Sequence, residues 1–180
     1  LNEEDFGRRI KGQTLTQIYE RYFPTLPEAQ REITAKLNVF EKQMFYEYIP
    51  GVEAFIADLH RHGVKIAVVT SSNEEKMQNV YNAHPEFKGM VDRILTGEMF
   101  ARSKPAPDCF LLGMEIFSVT PENTYVFEDS FHGLQAGMTS GATVIGLATT
   151  NSAEAIAGKA HYVMNDFTAM TCDKLLTLHR

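Results

Sequence analysis

Beyond residue 50 the chain repeats one pattern, a short apolar run followed by a longer amphipathic stretch. The runs are VKIAVVT (64–70), a weaker RILTG (93–97), TYVFED (124–129), ATVIGLA (142–148) and HYVM (161–164). Around them lie VEAFIADLHRH, EEKMQNVYNA, PDCFLLGMEIF and FHGLQAGMTSG, whose apolar residues recur at helical spacing. Val/Ile-rich runs separated by helices describe strands buried on both sides, as in a parallel sheet covered on both faces. The expected fold class is therefore α/β, with a Rossmann-like parallel sheet.

Upstream of residue 50 the pattern is different. Ile10, Ile18, Tyr22, Ile33, Leu37 and Phe40 follow a rough helical spacing in a charged background, interrupted by Pro24 and Pro27. Pro50 and Gly51 in YIPGVEAF make a natural hinge or helix start. We read residues 1–48 as a small helical unit and 49–180 as the α/β unit. A chain of 180 residues that is 44% hydrophobic has room for one domain and a modest accessory piece.

A formal charge of −6 without a dense Lys/Arg cluster argues against nucleic acid or an anionic membrane as partner. Cys109 and Cys172 stand far apart and outside any CxxC arrangement, so they read as buried thiols in a reducing compartment. No apolar run approaches the ~18 residues of a membrane span, and LNEEDFGRRI lacks the features of a secretion signal. The expected location is cytoplasmic and the expected state a monomer.

Ligands of open parallel sheets bind outside the carboxyl ends of the strands. Thr70, Ser71 and Ser72 follow one apolar run, Glu128, Asp129 and Ser130 follow another, and Lys104 sits in the proline-rich loop ARSKPAPD. Adjacent carboxylates repel unless a cation neutralises them, and hard oxygen donors suit Mg²⁺. Each element also has a plain reading. Asp129 or Ser130 can cap the helix near Phe131, the hydroxyls can cap the helix at EEKM, and Lys104 can be a solvated charge. Together they supply a metal, hydroxyl and amide donors, and a cation, which are the needs of phosphoryl transfer.

At these residues the chain resembles the haloacid-dehalogenase-like superfamily, in its β-phosphoglucomutase-like branch. VVTSS, the lysine of SKPAPD and FEDS with the following GLQAG are similar to its second, third and fourth motifs. The resemblance covers most of the chain from about residue 50. It implies a Rossmann-like core with an inserted helical cap, of which residues 1–48 are the later part, and Mg²⁺-dependent phosphoryl transfer through an aspartyl-phosphate. By that similarity Thr70 and the Ser71 amide bind the phosphoryl group, Lys104 neutralises it, Glu128 and Asp129 hold the metal, and Ser72 and Asn73 contact substrate.

Two departures stand out. The family's first motif, DxDGT, occurs nowhere in these residues, so the nucleophile is expected upstream, the chain is expected to be an inactive fragment, and a central strand is expected to be absent, leaving a gap and unpaired edges. Asp108, Asp166 and Asp173 are not placed to substitute. Secondly, Lys11 and Gly12 are followed by Gln13, Thr14 and Leu15, where the phosphoglucomutase carries an arginine for a second phosphate. This favours a phosphatase acting on a small phosphorylated metabolite, such as a sugar phosphate. A phosphomutase and a non-catalytic phosphate-binding protein are the alternatives; a dehalogenase would leave the paired acids unexplained. Lys36 reads as a surface lysine, His60 and His62 as helix-end charges, His84 and His161 as structural, and Met77, Met114 and Met138 as core. His132 lies near enough to the acids to touch the site.

Overall fold

The computed structural model describes residues 3–178; Leu1, Asn2, His179 and Arg180, at the ends of the two expected units, lie outside the described residues. Three helices come first: α1 (Glu3–Ile10), α2 (Leu15–Tyr22) and α3 (Pro27–Gln43). Thr14 starts α2 through a reciprocal capping box with Gln17, and Pro27 starts α3, where its missing N–H has no cost. Among the described residues of these helices only Ile18 is buried, and Phe40, expected on the apolar face, is 62% exposed. So few turns cannot enclose a core of their own. α3 leans instead on the rest of the chain through the Lys76–Glu41 ion pair (2.5 Å), whose side chains are each about four-fifths buried.

After residues 44–51, which carry no regular element, the chain alternates strand and helix. The order is α4 (Val52–Arg61), β1 (Ala67–Val69), α5 (Glu74–Ala83), β2 (Arg93–Leu95), α6 (Asp108–Phe117), β3 (Tyr125–Glu128), α7 (Phe131–Ser140), β4 (Thr143–Leu147), α8 (Ala153–Ile156), β5 (Tyr162–Met164) and α9 (Cys172–Thr177). Every strand pair is parallel. Successive residues of β4 serve opposite faces. Val144 packs with Cys109, Phe110 and Met114 of α6 and Leu134 of α7, whereas Ile145 packs with Phe55 and Leu59 of α4 and Leu175 of α9. Helices thus cover both faces, as the apolar runs predict. Met138 is a correction: it is 41% exposed, because α7 turns Leu134 and Gly137 to the strands and Met138 to the outside.

The strands form two sheets, β1–β2 and β3–β4–β5. The Thr70 N–H donates to the Leu95 carbonyl (2.9 Å) and the Ile66 carbonyl accepts from the Arg93 N–H (3.2 Å), so even-numbered residues of this run face β2. A parallel ladder alternates, which turns the backbone groups of Ala67 and Val69 to the opposite edge. By the same parity the Thr143 N–H to Thr124 carbonyl bond (3.0 Å) turns those of Tyr125 and Phe127 away from β4. Among the described strands neither edge is paired. Burial agrees, for β4 is buried at all five positions while β1 is half-buried at all three. With both edges unpaired among the described strands, a slot is left between β1 and β3.

Gly51 joins the two parts of the chain. Its φ is +82°, and a Cβ there would lie 2.5 Å from the backbone of Phe167 and Thr168, while the Pro50 carbonyl accepts from the Phe167 N–H (2.9 Å). Gly51→Ala is expected to destabilise the protein by at least ~2 kcal/mol, since the left-handed backbone alone costs about 1–2 kcal/mol. The urea midpoint reports it, and an unchanged midpoint rules out this seat.

Candidate active site

β1 and β3 end at the same place, and Lys104 shows it. The residue is 5% exposed, its ammonium lies 3.4 Å from the Val69 carbonyl at the end of β1, and it pairs with Glu128 Oε1 at the end of β3. One cation therefore ties both rims of the slot. Glu128, 8% exposed, also accepts at Oε2 from the Asp129 N–H (3.1 Å), the Ser130 N–H (3.2 Å) and the Ser130 hydroxyl (3.1 Å). A buried carboxylate held by four donors is anchored in charge and direction.

Thr70 to Asn73 connect β1 to α5. The Thr70 hydroxyl accepts from the Ser72 N–H (3.1 Å), and the Ser71 hydroxyl donates to the Gly12 carbonyl (3.0 Å). The Ser72 carbonyl accepts from the Gly97 N–H (2.8 Å), and the Asn73 side chain accepts from the Lys76 N–H (2.9 Å) as the α5 cap. The cap of α5 is therefore Asn73 and not one of the hydroxyls of Thr70, Ser71 and Ser72 that the sequence offered, because Asn73 is the residue directly before the helix and its carboxamide oxygen reaches the Lys76 N–H. Among the described residues the Ser71 N–H has no acceptor. It lies two residues past Val69, the strand end that Lys104 marks.

Asp129 is one-third exposed at the mouth of the slot and is the more accessible of the two acids. Its Oδ2 accepts from the Thr150 hydroxyl and lies 3.5 Å from Lys11 Nζ, which also reaches Thr150 Oγ1; its carbonyl accepts from Asn151 Nδ2 (2.8 Å). Ser130 accepts from the Gly133 N–H (3.0 Å), so Ser130, rather than Asp129, caps α7. Among the described residues no three His, Cys, Asp or Glu side chains cluster as a metal site. The donors nevertheless suit a hard cation that needs few protein ligands: Asp129 faces outward, and Glu128 Oε1 keeps a lone pair beside Lys104.

The site thus gathers Thr70, Ser71, Lys104, Glu128 and Asp129 from three distant stretches. It also contains Lys11, Thr150 and Asn151, which the sequence reading did not assign. Thr150 and Asn151 follow the apolar run ATVIGLA, so the strand-end rule already points to them. The other candidates lie elsewhere. Arg102 grips Asp108 through three bonds (2.7, 3.0 and 3.2 Å) and holds its carboxyl below the usual range; Thr168 donates to Asp166. Lys36 pairs with Glu32 on the surface (2.7 Å), and His161 accepts from the Val144 N–H (2.9 Å). Both thiols are buried, and burial pushes them up, which keeps them protonated and unreactive.

Residues 2–147 match the model of the haloacid dehalogenase-like hydrolases. The chain belongs to this family. It is similar to a phosphorylated carbohydrates phosphatase of Thermotoga maritima, with 31% identity over 150 residues, 77% of this chain and 66% of that protein. Among solved structures it is similar to CbbY of Rhodobacter sphaeroides in complex with phosphate, with 25% identity, a TM-score of 0.75, and coverage of 93% of this chain and 80% of that one. A family IA, variant 3 hydrolase of Entamoeba histolytica superimposes with a TM-score of 0.82 over 98% of this chain and 83% of its own, at 20% identity, which speaks for the fold. The chain spans about half the length of the curated relatives it matches. Among the described residues no helix is long and apolar enough to cross a membrane.

Proposed function

We propose that this chain is the phosphate- and metal-holding part of a Mg²⁺-dependent phosphatase for a small phosphorylated metabolite, in the β-phosphoglucomutase-like branch of the family. The observation that carries the reading is Lys104, buried across the slot and bound to the end of each flanking strand. A cation held there faces whatever anion sits between β1 and β3.

In this reading Thr70 and the Ser71 amide hold phosphoryl oxygens, and Lys104 neutralises a third while Glu128 keeps its ammonium in place. Asp129 and Glu128 would hold Mg²⁺, which supplies further charge neutralisation at the phosphoryl oxygens when bound. Thr150 and Asn151 orient Asp129. Ser72 and Asn73 lie beside the site on the substrate side. In this reading the nucleophilic aspartate arrives on a strand seated in the slot, from a segment upstream of these residues. Its oxygen bonds to phosphorus as the ester oxygen leaves, and water then cleaves the aspartyl-phosphate. Residues 1–48 form part of the cap over this site. The expected working environment is the cytoplasm.

The test is to express the chain with the segment encoded ahead of it and measure phosphate release from phosphorylated sugars, with and without a chelator. We expect Mg²⁺-dependent release that falls by at least ~10²-fold in Asp129→Asn, the scale of losing one preorganised electrostatic contact. Turnover indifferent to chelation, or an upstream segment without an aspartate on a strand-like run, defeats the reading.

A further inference from the structure

The linker between α3 and α4 is held down at a second place besides Gly51, the C-terminal end of α5. His84 closes that helix, its N–H donating to the Val80 carbonyl (2.8 Å). Both nitrogens of its ring are engaged. Nε2 lies 2.8 Å from the Tyr46 carbonyl of the linker, and Nδ1 lies 3.0 Å from Oε1 of Glu86. A carbonyl and a carboxylate only accept, so both nitrogens carry protons and the ring is an imidazolium. The Tyr48 hydroxyl donates to the same Glu86 oxygen (3.1 Å), and the Tyr48 ring lies against His84 with the centroids 4.5 Å apart. Tyr48 also stacks on Phe87, in the short 3-10 turn Phe87–Gly89 that follows. A cation at a helix C-terminus is further favoured by the helix dipole.

The charges that act on this ring have one sign. Glu86 stands beside it, and Glu53 in the first turn of α4 adds a second acid. The cations and titratable groups around it are engaged elsewhere. Lys88 lies over the Tyr81 ring (3.8 Å), Lys76 pairs with Glu41, His60 lies 2.9 Å from the Met90 carbonyl, and the Tyr46 hydroxyl donates to the Glu41 carbonyl (2.9 Å). The Tyr46 carbonyl and then Glu86 hold His84 above the ordinary 6.5, while its own backbone N–H and then His84 hold Glu86 below the ordinary 4.5. Burial pushes the Tyr48 hydroxyl up to about 12, so it stays a donor. What His84 contributes is therefore fully present below pH 6.5 and is lost as pH rises through its raised value; what Glu86 contributes is present above pH 4.5 and is lost as pH falls through its lowered one.

We propose that His84 is a protonation-operated latch on this linker: as an imidazolium it clamps Tyr46 and Tyr48 to the end of α5, and as a neutral imidazole it releases them. The proton that remains stays on Nδ1, toward the carboxylate, the stronger acceptor. Nε2 then turns a lone pair on the Tyr46 carbonyl at a distance that suits only a donor, and the two repel. Lys76 and Glu41 still tie α3 to α5, so what changes is the path of residues 44–50 between α3 and the seat of Gly51. The latch thereby sets how freely the N-terminal helices turn against the strands, and it stands independently of the phosphatase reading.

The experiment follows the His84 ring nitrogens and the amides of Tyr46 to Tyr48 by NMR from about pH 5 to about pH 9, in the protein expressed with the segment encoded ahead of it. Wild type, His84→Ala and Glu86→Gln are compared. His84 is expected to titrate above 6.5, the linker amides to shift with the same midpoint, and Glu86→Gln to lower that midpoint. Chymotrypsin cleavage after Tyr48, located by mass spectrometry, gives a second readout as the ratio of the His84→Ala rate to the wild-type rate at one pH. That ratio is expected to be about threefold or more at about pH 6, the scale of one net hydrogen bond, and to approach one above the His84 midpoint. Thermal melts check folding, and if His84→Ala does not fold, the midpoints of wild type and Glu86→Gln carry the test. A His84 midpoint at or below 6.5, linker amides that stay still through the titration, an unmoved midpoint in Glu86→Gln, or a cleavage ratio that does not change with pH overturns the latch.

Discussion

Replacing Lys104 with methionine is expected to destabilise the protein by about 3–5 kcal/mol, the range found when one member of a buried ion pair is removed. Lys104 is 5% and Glu128 8% exposed, so water does not replace the lost partner. The same change also removes a tie between β1 and β3, because the ammonium lies 3.4 Å from the Val69 carbonyl. The double variant Lys104→Met/Glu128→Gln tells these effects apart. If the penalty is an uncompensated charge, the double variant recovers most of the loss in a urea or guanidinium titration, since neutral Glu128→Gln still satisfies the Ser130 donors. A Lys104→Met variant within 1 kcal/mol of wild type contradicts the buried pair.

Gly133→Ala should do comparable damage from the opposite side. A Cβ on Gly133 falls inside the carboxyl group of Glu128. Alanine improves helix propensity by about 1 kcal/mol, yet the methyl group evicts a side chain fixed by Lys104, Ser130 and two backbone amides. We expect a net loss of about 2–4 kcal/mol, near the upper end of overpacking costs because a charged pair is displaced with it. Phosphate affinity should fall in parallel, as Lys104 loses its orienting partner. In a Glu128→Ala background the space is free, so the added cost of Gly133→Ala should vanish. Simple additivity of the two changes excludes this contact.

These two glycine and lysine positions show how much of the site was legible beforehand. SKPAPD and FEDSFHGLQAG identify Lys104, Glu128 and Asp129 as a set, and the strand-end rule draws Thr70 and Ser71 to the same edge. The division of labour between the two acids was not legible. Neighbouring residues of a strand point to opposite sides, so Glu128 turns inward to Lys104 while Asp129, just past β3, faces outward to Thr150 and Lys11. The contacts of His132 escape the sequence for a related reason. Its partners, the Lys11 carbonyl and the Gln13 amide, lie 121 and 119 positions away, and no local spacing reveals them.

The same contrast runs through the fold. The helix α5 falls on EEKMQNVYNA, and the four later runs each contain a strand, because periodicity and capping act within a few residues. VKIAVVT yields only the three-residue β1, since one edge of it has no strand beside it. The apolar residues of α3 predict a buried face, but Val39 and Phe40 are exposed, for a helix buries its stripe only where another element comes to meet it.

By itself the sequence determined which segments become strands and helices, that the strands run parallel beneath helices on both faces, and which polar residues stand at the strand ends. Only the tertiary structure decided where the sheet divides, between β1 and β3, that Lys104 bridges the division, and that the Lys11–Gln13 turn settles on Ser71 and His132. The physical reason is range. Periodicity and capping are local, whereas ion pairing across a slot depends on where the folded chain brings distant residues together.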